Sequence, residues 1–244
     1  HFNRSLSYIM KIAIMQPYFF PYIGYFSLIK NTDHFIFFDT PQYIRKGWIN
    51  RNRIIGANGD ATFFTVPVQK MPRETAINKM LISQNEDWKQ KILGQLNIYK
   101  KAPHYLEVLE LVQSTLNIQT LSISELAIKS IINTCEYLGI KMESDIFSRM
   151  NISLPQINGP DEWALYITKQ LGYDTYVNPP GGKSFFSREK YINENIELQF
   201  LTTEIVPYRQ KGTEFIPALS IIDVMMFCDV QTIHKMLDNY KLEE

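Results

Sequence analysis

The chain has too little cysteine for covalent stapling, with only Cys135 and Cys228 in 244 residues, both inside apolar stretches. Two thiols build neither a disulfide framework nor a four-ligand zinc site, and they read as reduced core residues of a cytoplasmic protein. Charge of one sign is also missing: 25 basic and 25 acidic side chains cancel. A general nucleic-acid binder carries a basic surplus, so no DNA partner is expected. No apolar run approaches the ~18–20 residues of a membrane span, and the N-terminus has no charged-then-apolar leader. His-x-x-His and His-Glu-x-x-His patterns are absent, so no metal site is expected. Gly-x-Ser-x-Gly and Gly-x-Gly-x-x-Gly are absent as well, which removes a hydrolase elbow and a dinucleotide fingerprint. Asn178-Pro179-Pro180-Gly181-Gly182-Lys183-Ser184 approaches a phosphate loop but has Val177 where that motif needs glycine.

What is present is material for a core. Hydrophobic residues make up 45% of the chain and aromatics 13%, which excludes disorder. Residues 1–9 are set aside as an N-terminal appendage, either a cloning remnant or an upstream extension. Residues 10–244 are expected to form one α/β domain. Lys11-Ile12-Ala13-Ile14-Met15 is short, apolar and stopped by Gln16-Pro17, as a doubly buried strand is. Apolar residues at Tyr22, Tyr25, Phe26 and Ile29, after Pro21, follow helical spacing. His34-Phe35-Ile36-Phe37-Phe38 is a second strand, which completes a βαβ unit and a parallel sheet. A polar stretch, 41–53, precedes a third strand expected at Phe63–Val68. Residues 87–139 read as a helical insertion, with Ser122-Ile123-Ser124-Glu125 as a helix start and Gly139 as a stop. Further strands are expected at 144–148, 175–178 and 197–201, a helix from Pro160 to Gly172, and helix throughout 220–240.

In parallel α/β sheets ligands bind beyond the carboxyl ends of the strands. That rule selects Gln16 and Tyr18 after the first strand and Asp39, Gln42 and Tyr43 after the second. Asp39 is a candidate general base, and equally a helix cap or ion-pair partner. Gln16 either orients a substrate or satisfies loop backbone. Arg45, Lys46, Arg51 and Arg53 fall within nine residues without an acid, and Trp48 and Asn50 lie among them. This is a site for phosphates and a stacked ring, or a solvated loop anchored by Trp48.

Several blocks in order resemble the WbqC-like protein family: Ile14-Met15-Gln16-Pro17-Tyr18 with Gly24-Tyr25-Phe26, then Phe38-Asp39 with Gln42-Tyr43. Trp48 to Ile54, Thr65-Val66-Pro67-Val68, Tyr99 to Pro103, and Gln210 with Phe215 to Asp223 complete the pattern. The resemblance implies a bacterial protein of O-antigen or other surface polysaccharide biosynthesis. It also adds Gln210 to the candidate binding residues. A fainter similarity, to pantothenate synthetase and related nucleotidyltransferases, implies a Rossmann-like, nucleotidyltransferase-like layering. Their His-x-Gly-His motif is missing here, which puts adenylyl transfer by that route in doubt. The leading expectation is a transferase that acylates or aminoacylates the amine of a nucleotide-linked amino sugar. It needs no tightly bound cofactor and draws on an acyl- or aminoacyl-carrier donor such as an acyl carrier protein. The alternatives are a non-catalytic sugar-nucleotide-binding protein and a nucleotidyltransferase-like enzyme.

Overall fold

A computed structural model describes residues 8–244. The opening βαβ unit forms as its pattern dictates: strand β1 (Lys11–Met15), helix α1 (Ile23–Lys30) and strand β2 (His34–Phe37). β1 and β2 are parallel, with Ala13 opposite Phe35 and Ile14 opposite Ile36. Side-chain alternation then divides the apolar residues between two cores. Ala13, Phe35 and Phe37 enter the larger one, and Ile12, Ile14 and Ile36 the smaller. Burying each large apolar side chain contributes about 1.5–3 kcal/mol.

After β2 the chain leaves the sheet. Strands β3 (Arg51–Ile55) and β4 (Ala61–Thr65) form a separate antiparallel hairpin. Part of the expected polar loop is therefore strand, and the expected third strand lies outside the main sheet. The reason is period-two alternation: Asn52, Ile54 and Phe64 turn inward and are buried, while Arg51, Arg53 and Phe63 turn outward. A helical layer follows, with α2 (Trp88–Gln95), α3 (Tyr105–Leu116) and α4 (Ile123–Leu138). Ser122 caps α4 by accepting from the Glu125 N–H at 3.2 Å, and Gly139 ends it in the left-handed conformation at φ 66°.

The chain then returns to the sheet through β5 (Ser144–Ile146), α5 (Glu162–Gln170), β6 (Thr175–Asn178), α6 (Arg188–Asn193) and β7 (Glu197–Thr203). The segment expected to be one helix over 220–240 is two, α7 (Ile221–Phe227) and α8 (Val230–Leu237), followed by strand β8 (Tyr240–Glu243). Asp229 causes the break, since its carboxylate caps α8 by accepting from the Thr232 N–H at 2.7 Å. Sheet order is β5-β2-β1-β6-β7-β8, parallel except for the antiparallel β8 edge. α1, α4 and α8 pack on the larger core, and α5 and α6 on the smaller. This is an α/β layer arrangement of Rossmann-like type with a helical insertion.

Chain order reverses between β1 and β6, so the crevice of such sheets opens beyond their carboxyl ends. Among the described residues no helix is long and apolar enough to cross a membrane. The expected appendage lies largely outside the described residues. Within its described part, Tyr8 donates from its hydroxyl to Asp33 at 2.9 Å.

Candidate binding site beyond the first strand

Pro17 ends β1 and the chain turns back through Tyr18–Tyr22 before α1 begins. Tyr25 holds the start of this turn by donating to the Gln16 carbonyl at 2.8 Å. Phe20, at its tip, has φ 38°, a left-handed conformation unusual for a side chain of that bulk. Both ends of that residue are held: its N–H donates to Ser130 Oγ at 2.9 Å, and its carbonyl accepts from Ser220 Oγ at 2.7 Å. Two other segments are stitched to the turn. The Phe19 N–H donates to the Trp48 carbonyl at 3.0 Å, and the Ser220 N–H donates to the Arg53 carbonyl at 2.8 Å.

These stitches enclose a pocket of about 180 Å³, lined by Tyr18, Pro21, Tyr22, Trp48, Asn52, Arg53 and Ala218. Ala218 is the second left-handed residue of the site, at φ 58°. Strained backbone of this kind costs about 1–3 kcal/mol per residue and persists where the surroundings impose it. The Tyr22 ring lies across Gly24 so closely that a Cβ there would sit 2.4 Å from its Cζ and Oη. Burial, with Tyr22 nearby, raises the phenol of Tyr18 above its ordinary value, and burial alone raises that of Tyr22. Both are neutral hydrogen-bond donors at pH 7.

Electrostatics distinguish one wall. Among the described residues none of Arg45, Lys46, Arg51 and Arg53 is paired with a carboxylate. Arg45 and Arg51 donate to backbone carbonyls: Arg45 to Met71 at 2.8 Å, and Arg51 to Gly47 at 3.1 Å and Lys46 at 2.5 Å. The Arg53 Nε is buried without an acceptor, and its guanidinium carbon lies 5.7 Å from the Trp48 ring centre. A guanidinium with no counter-ion, beside aromatic rings in a concavity, is suited to an anionic ligand with a flat ring.

Of the residues selected from sequence, Tyr18, Trp48 and Arg53 come together in this pocket, and Arg51 stands beside it on the same face of β3. Asp39 does not line it. That carboxylate is 2% exposed, and both oxygens are taken by Ser148, from the N–H at 2.9 Å and the hydroxyl at 2.6 Å. It fastens the end of β2 to the turn after β5 through a long-range link, and not as a helix cap or as an ion-pair partner among the described residues. Gln16 is half-buried outside the pocket, and Gln42 and Lys46 are exposed, with Lys46 at φ 59°. Tyr43 is buried, which pushes its phenol up to about 12 against the opposing pull of Arg45 and Arg51. Asn50 is buried and donates to the Val66 carbonyl at 2.9 Å. Gln210 is a loop fastener: its amide grips the Ile216 backbone at 2.9 and 2.8 Å and donates to Asp223 at 3.1 Å. It thereby shapes the segment that carries Ala218.

Pro21, Tyr22, Asn52 and Ala218 also line the pocket and were not selected as site residues from sequence. Tyr22 counted as a helix-face residue, and the nearby Gly24 is the signal that its ring needs room. The phosphate-loop lookalike folds into a 3-10 turn, Pro180–Phe185. Asn178 is already engaged there, accepting from Tyr176 at 2.5 Å and donating to the Pro179 carbonyl at 2.8 Å.

The fold and this concavity define the class, an α/β protein of Rossmann-like layering with a pocket beyond β1 that is lined by aromatic rings and the Arg53 side chain. Comparison with known proteins then places it more narrowly. The chain belongs to the WbqC-like protein family, whose model matches residues 16–235, a span that contains every residue of the pocket. It is 29% identical over 218 residues to the uncharacterized protein Rv1507c of Mycobacterium tuberculosis, covering 88% of this chain and 92% of that one. No solved structure matches it.

Proposed function

We propose that the pocket receives a nucleotide-linked amino sugar and presents its amine to an activated acyl or aminoacyl donor, in the assembly of bacterial surface polysaccharide. The observation that carries this reading is Arg53, a guanidinium without a carboxylate partner that lines an aromatic cavity. Arg53 binds phosphate, Trp48 and Tyr18 hold a ring, and the neutral Tyr22 phenol donates to an oxygen of the ligand. In the transfer, the amine nitrogen attacks the donor carbonyl carbon, the bond from that carbon to the carrier sulfur or oxygen breaks, and the proton given up by the amine ends on the released carrier as its thiol or hydroxyl. An activated donor leaves the protein chiefly the task of positioning.

A second reading, a binding protein without turnover, has its own support: no carboxylate, imidazole or thiol lines the pocket. With both oxygens held by Ser148, Asp39 is not assigned as the base. Calorimetric titration with nucleotide-linked amino sugars tests the site. Hydrogen bonds to charged groups contribute about 1.5–3 kcal/mol, so Arg53→Gln is expected to weaken binding roughly 10- to 150-fold. Unchanged affinity in that variant removes the pocket from consideration. Incubation of the bound sugar with acyl thioesters and aminoacyl esters then separates the two readings by the presence or absence of product.

A further inference from the structure

The pocket is smaller than the ~300–1,000 Å³ of a typical small-molecule site. It holds one end of a sugar nucleotide, and the remainder lies outside. What stands outside is unusual for a solvent-facing hairpin. Phe63 and Trp48 are 40% and 38% exposed, with ring centres 6.0 Å apart and planes inclined by 35°. Phe63 lies directly opposite Arg53 across the hairpin, and the Arg51 guanidinium sits 4.0 Å above the Phe63 ring. Since Arg53 lies beside Trp48, the outer face reads as a ladder of cation, ring, ring, cation that starts at the mouth of the pocket. The inward residues of the same strands, Asn52, Ile54 and Phe64, are buried, so the hairpin does not need these outer rings for its core.

We infer that this outer face is a second subsite, in which the exposed surface of Phe63 and Trp48 stacks the heteroaromatic base of a nucleoside diphosphate whose phosphates are held by the Arg51 and Arg53 guanidinium groups. The ligand is therefore a nucleoside diphosphate derivative rather than a simple sugar phosphate. Two properties select it. Among the described residues neither Arg51 nor Arg53 has a carboxylate partner, and the buried Arg53 Nε has no acceptor, which suits an anion. The two exposed rings suit a flat apolar surface, and a base attached to a diphosphate supplies both properties in one molecule.

This inference rests on the reading of the pocket as an anion site, and the experiment separates the two. Uridine diphosphate, adenosine diphosphate and inorganic pyrophosphate are titrated by calorimetry into the wild-type chain and the variants Phe63→Leu, Phe63→Tyr and Arg53→Gln. Phe63→Leu keeps an apolar residue on the strand but removes the stacking plane, and Phe63→Tyr restores it. Stacking by one aromatic side chain corresponds to roughly a 5- to 150-fold gain in affinity. The expected result is that both nucleotides exceed pyrophosphate by such a factor. Phe63→Leu should erase most of that gap, lowering nucleotide affinity more than pyrophosphate affinity, and Phe63→Tyr should retain it. Equal affinity for pyrophosphate and the nucleotides overturns the subsite and leaves the anion pocket standing. Absence of binding by all three probes, unaltered by Arg53→Gln, overturns both.

Discussion

Replacing Gly24 by alanine should separate stability from binding, because the glycine is required by the pocket and not by the helix. Gly24 is the second residue of α1, and nothing in its helical conformation demands glycine. The added Cβ would lie 2.4 Å from Cζ and Oη of Tyr22 and 2.5 Å from its Cε2. Ordinary carbon contacts lie at about 3.5–4.0 Å, so the ring must retreat by roughly 1–1.5 Å. The Tyr22 backbone cannot follow, since it is bridged to Ser220. Only the side chain swings, and it swings into the pocket it lines. Alanine is favoured over glycine in helix interiors by about 0.8–1 kcal/mol, and by less in a first turn. In a chain of this size a gain of ~0.5 kcal/mol raises Tm by about 1–2 °C. Gly24→Ala is therefore expected to melt at or slightly above the wild-type temperature while its affinity for uridine diphosphate falls by at least about tenfold. The double variant Gly24→Ala/Tyr22→Ala removes the obstructing ring and should recover part of the loss. Thermal unfolding and calorimetry on the three proteins decide it. A Gly24→Ala protein with lowered Tm and unaltered affinity refutes the assignment of Tyr22 as a pocket wall.

Asp39→Asn should cost about 1–3 kcal/mol in denaturant unfolding, because an NH2 donor replaces one of the two oxygens that accept separately from the Ser148 N–H and hydroxyl, and the remaining bond loses its charge assistance. Nucleotide affinity should be retained, and a loss of transfer rate of 10²–10⁴ at unchanged stability would instead restore Asp39 as a base. The pH dependence of folding should carry a signature of Asp161. Burial pushes its carboxyl up, but the Ser187 N–H and the Lys190 ammonium more than offset this and hold it below its ordinary value. A depressed folded value means that its stabilisation is present above the unfolded pKa of ~3.9 and lost as pH falls through the folded one. Lys190→Met should flatten that acid limb in unfolding curves recorded between neutral pH and pH 3. Asp223 has the opposite sign: burial raises its carboxyl despite hydrogen bonds from Tyr208, Tyr99 and Gln210, so its contribution declines as pH climbs through the raised value.

The opening βαβ unit was legible because each part is local: an apolar run stopped by Gln16-Pro17, helical spacing from Tyr22 to Ile29, then four apolar residues after His34. Ser122 and Gly139 marked the ends of α4 for the same reason, since caps act within one turn. β3 was hidden because its outward residues are arginines, and Arg51-Asn52-Arg53 reads as a charged loop until Phe64 and Phe63 are seen across from it. β8 was hidden because an exposed edge strand of Tyr240, Lys241, Leu242 and Glu243 carries little apolar signal, and its pairing with Thr203 through Phe200 is tertiary. The site was half legible. Strand-end position found Tyr18, and charge clustering found Trp48 and Arg53. The wall supplied by Ala218 comes from two hundred residues further on, and it is brought there by the hydrogen bonds of Ser220 together with that from the Ile221 N–H to the Pro21 carbonyl at 2.9 Å.

Those bonds make Ser220 the residue through which fold and pocket are coupled. It is fully buried, its hydroxyl donates to the Phe20 carbonyl at 2.7 Å and accepts from the Ile222 N–H at 3.2 Å, and its own N–H donates to Arg53. Phe20 holds a left-handed conformation only while Ser130 and Ser220 grip its two ends. Ser220→Ala orphans a buried carbonyl and uncaps α7, a loss of about 1–3 kcal/mol. It also frees Phe20 to relax, and with it Phe19, whose N–H aligns Trp48. Affinity for uridine diphosphate should therefore fall together with stability, in contrast to Gly24→Ala, where affinity alone falls. The comparison is to be made well below Tm, where both proteins are fully folded. If Ser220→Ala loses stability and binds with wild-type affinity there, the strained turn serves the fold alone and does not set the geometry of the pocket.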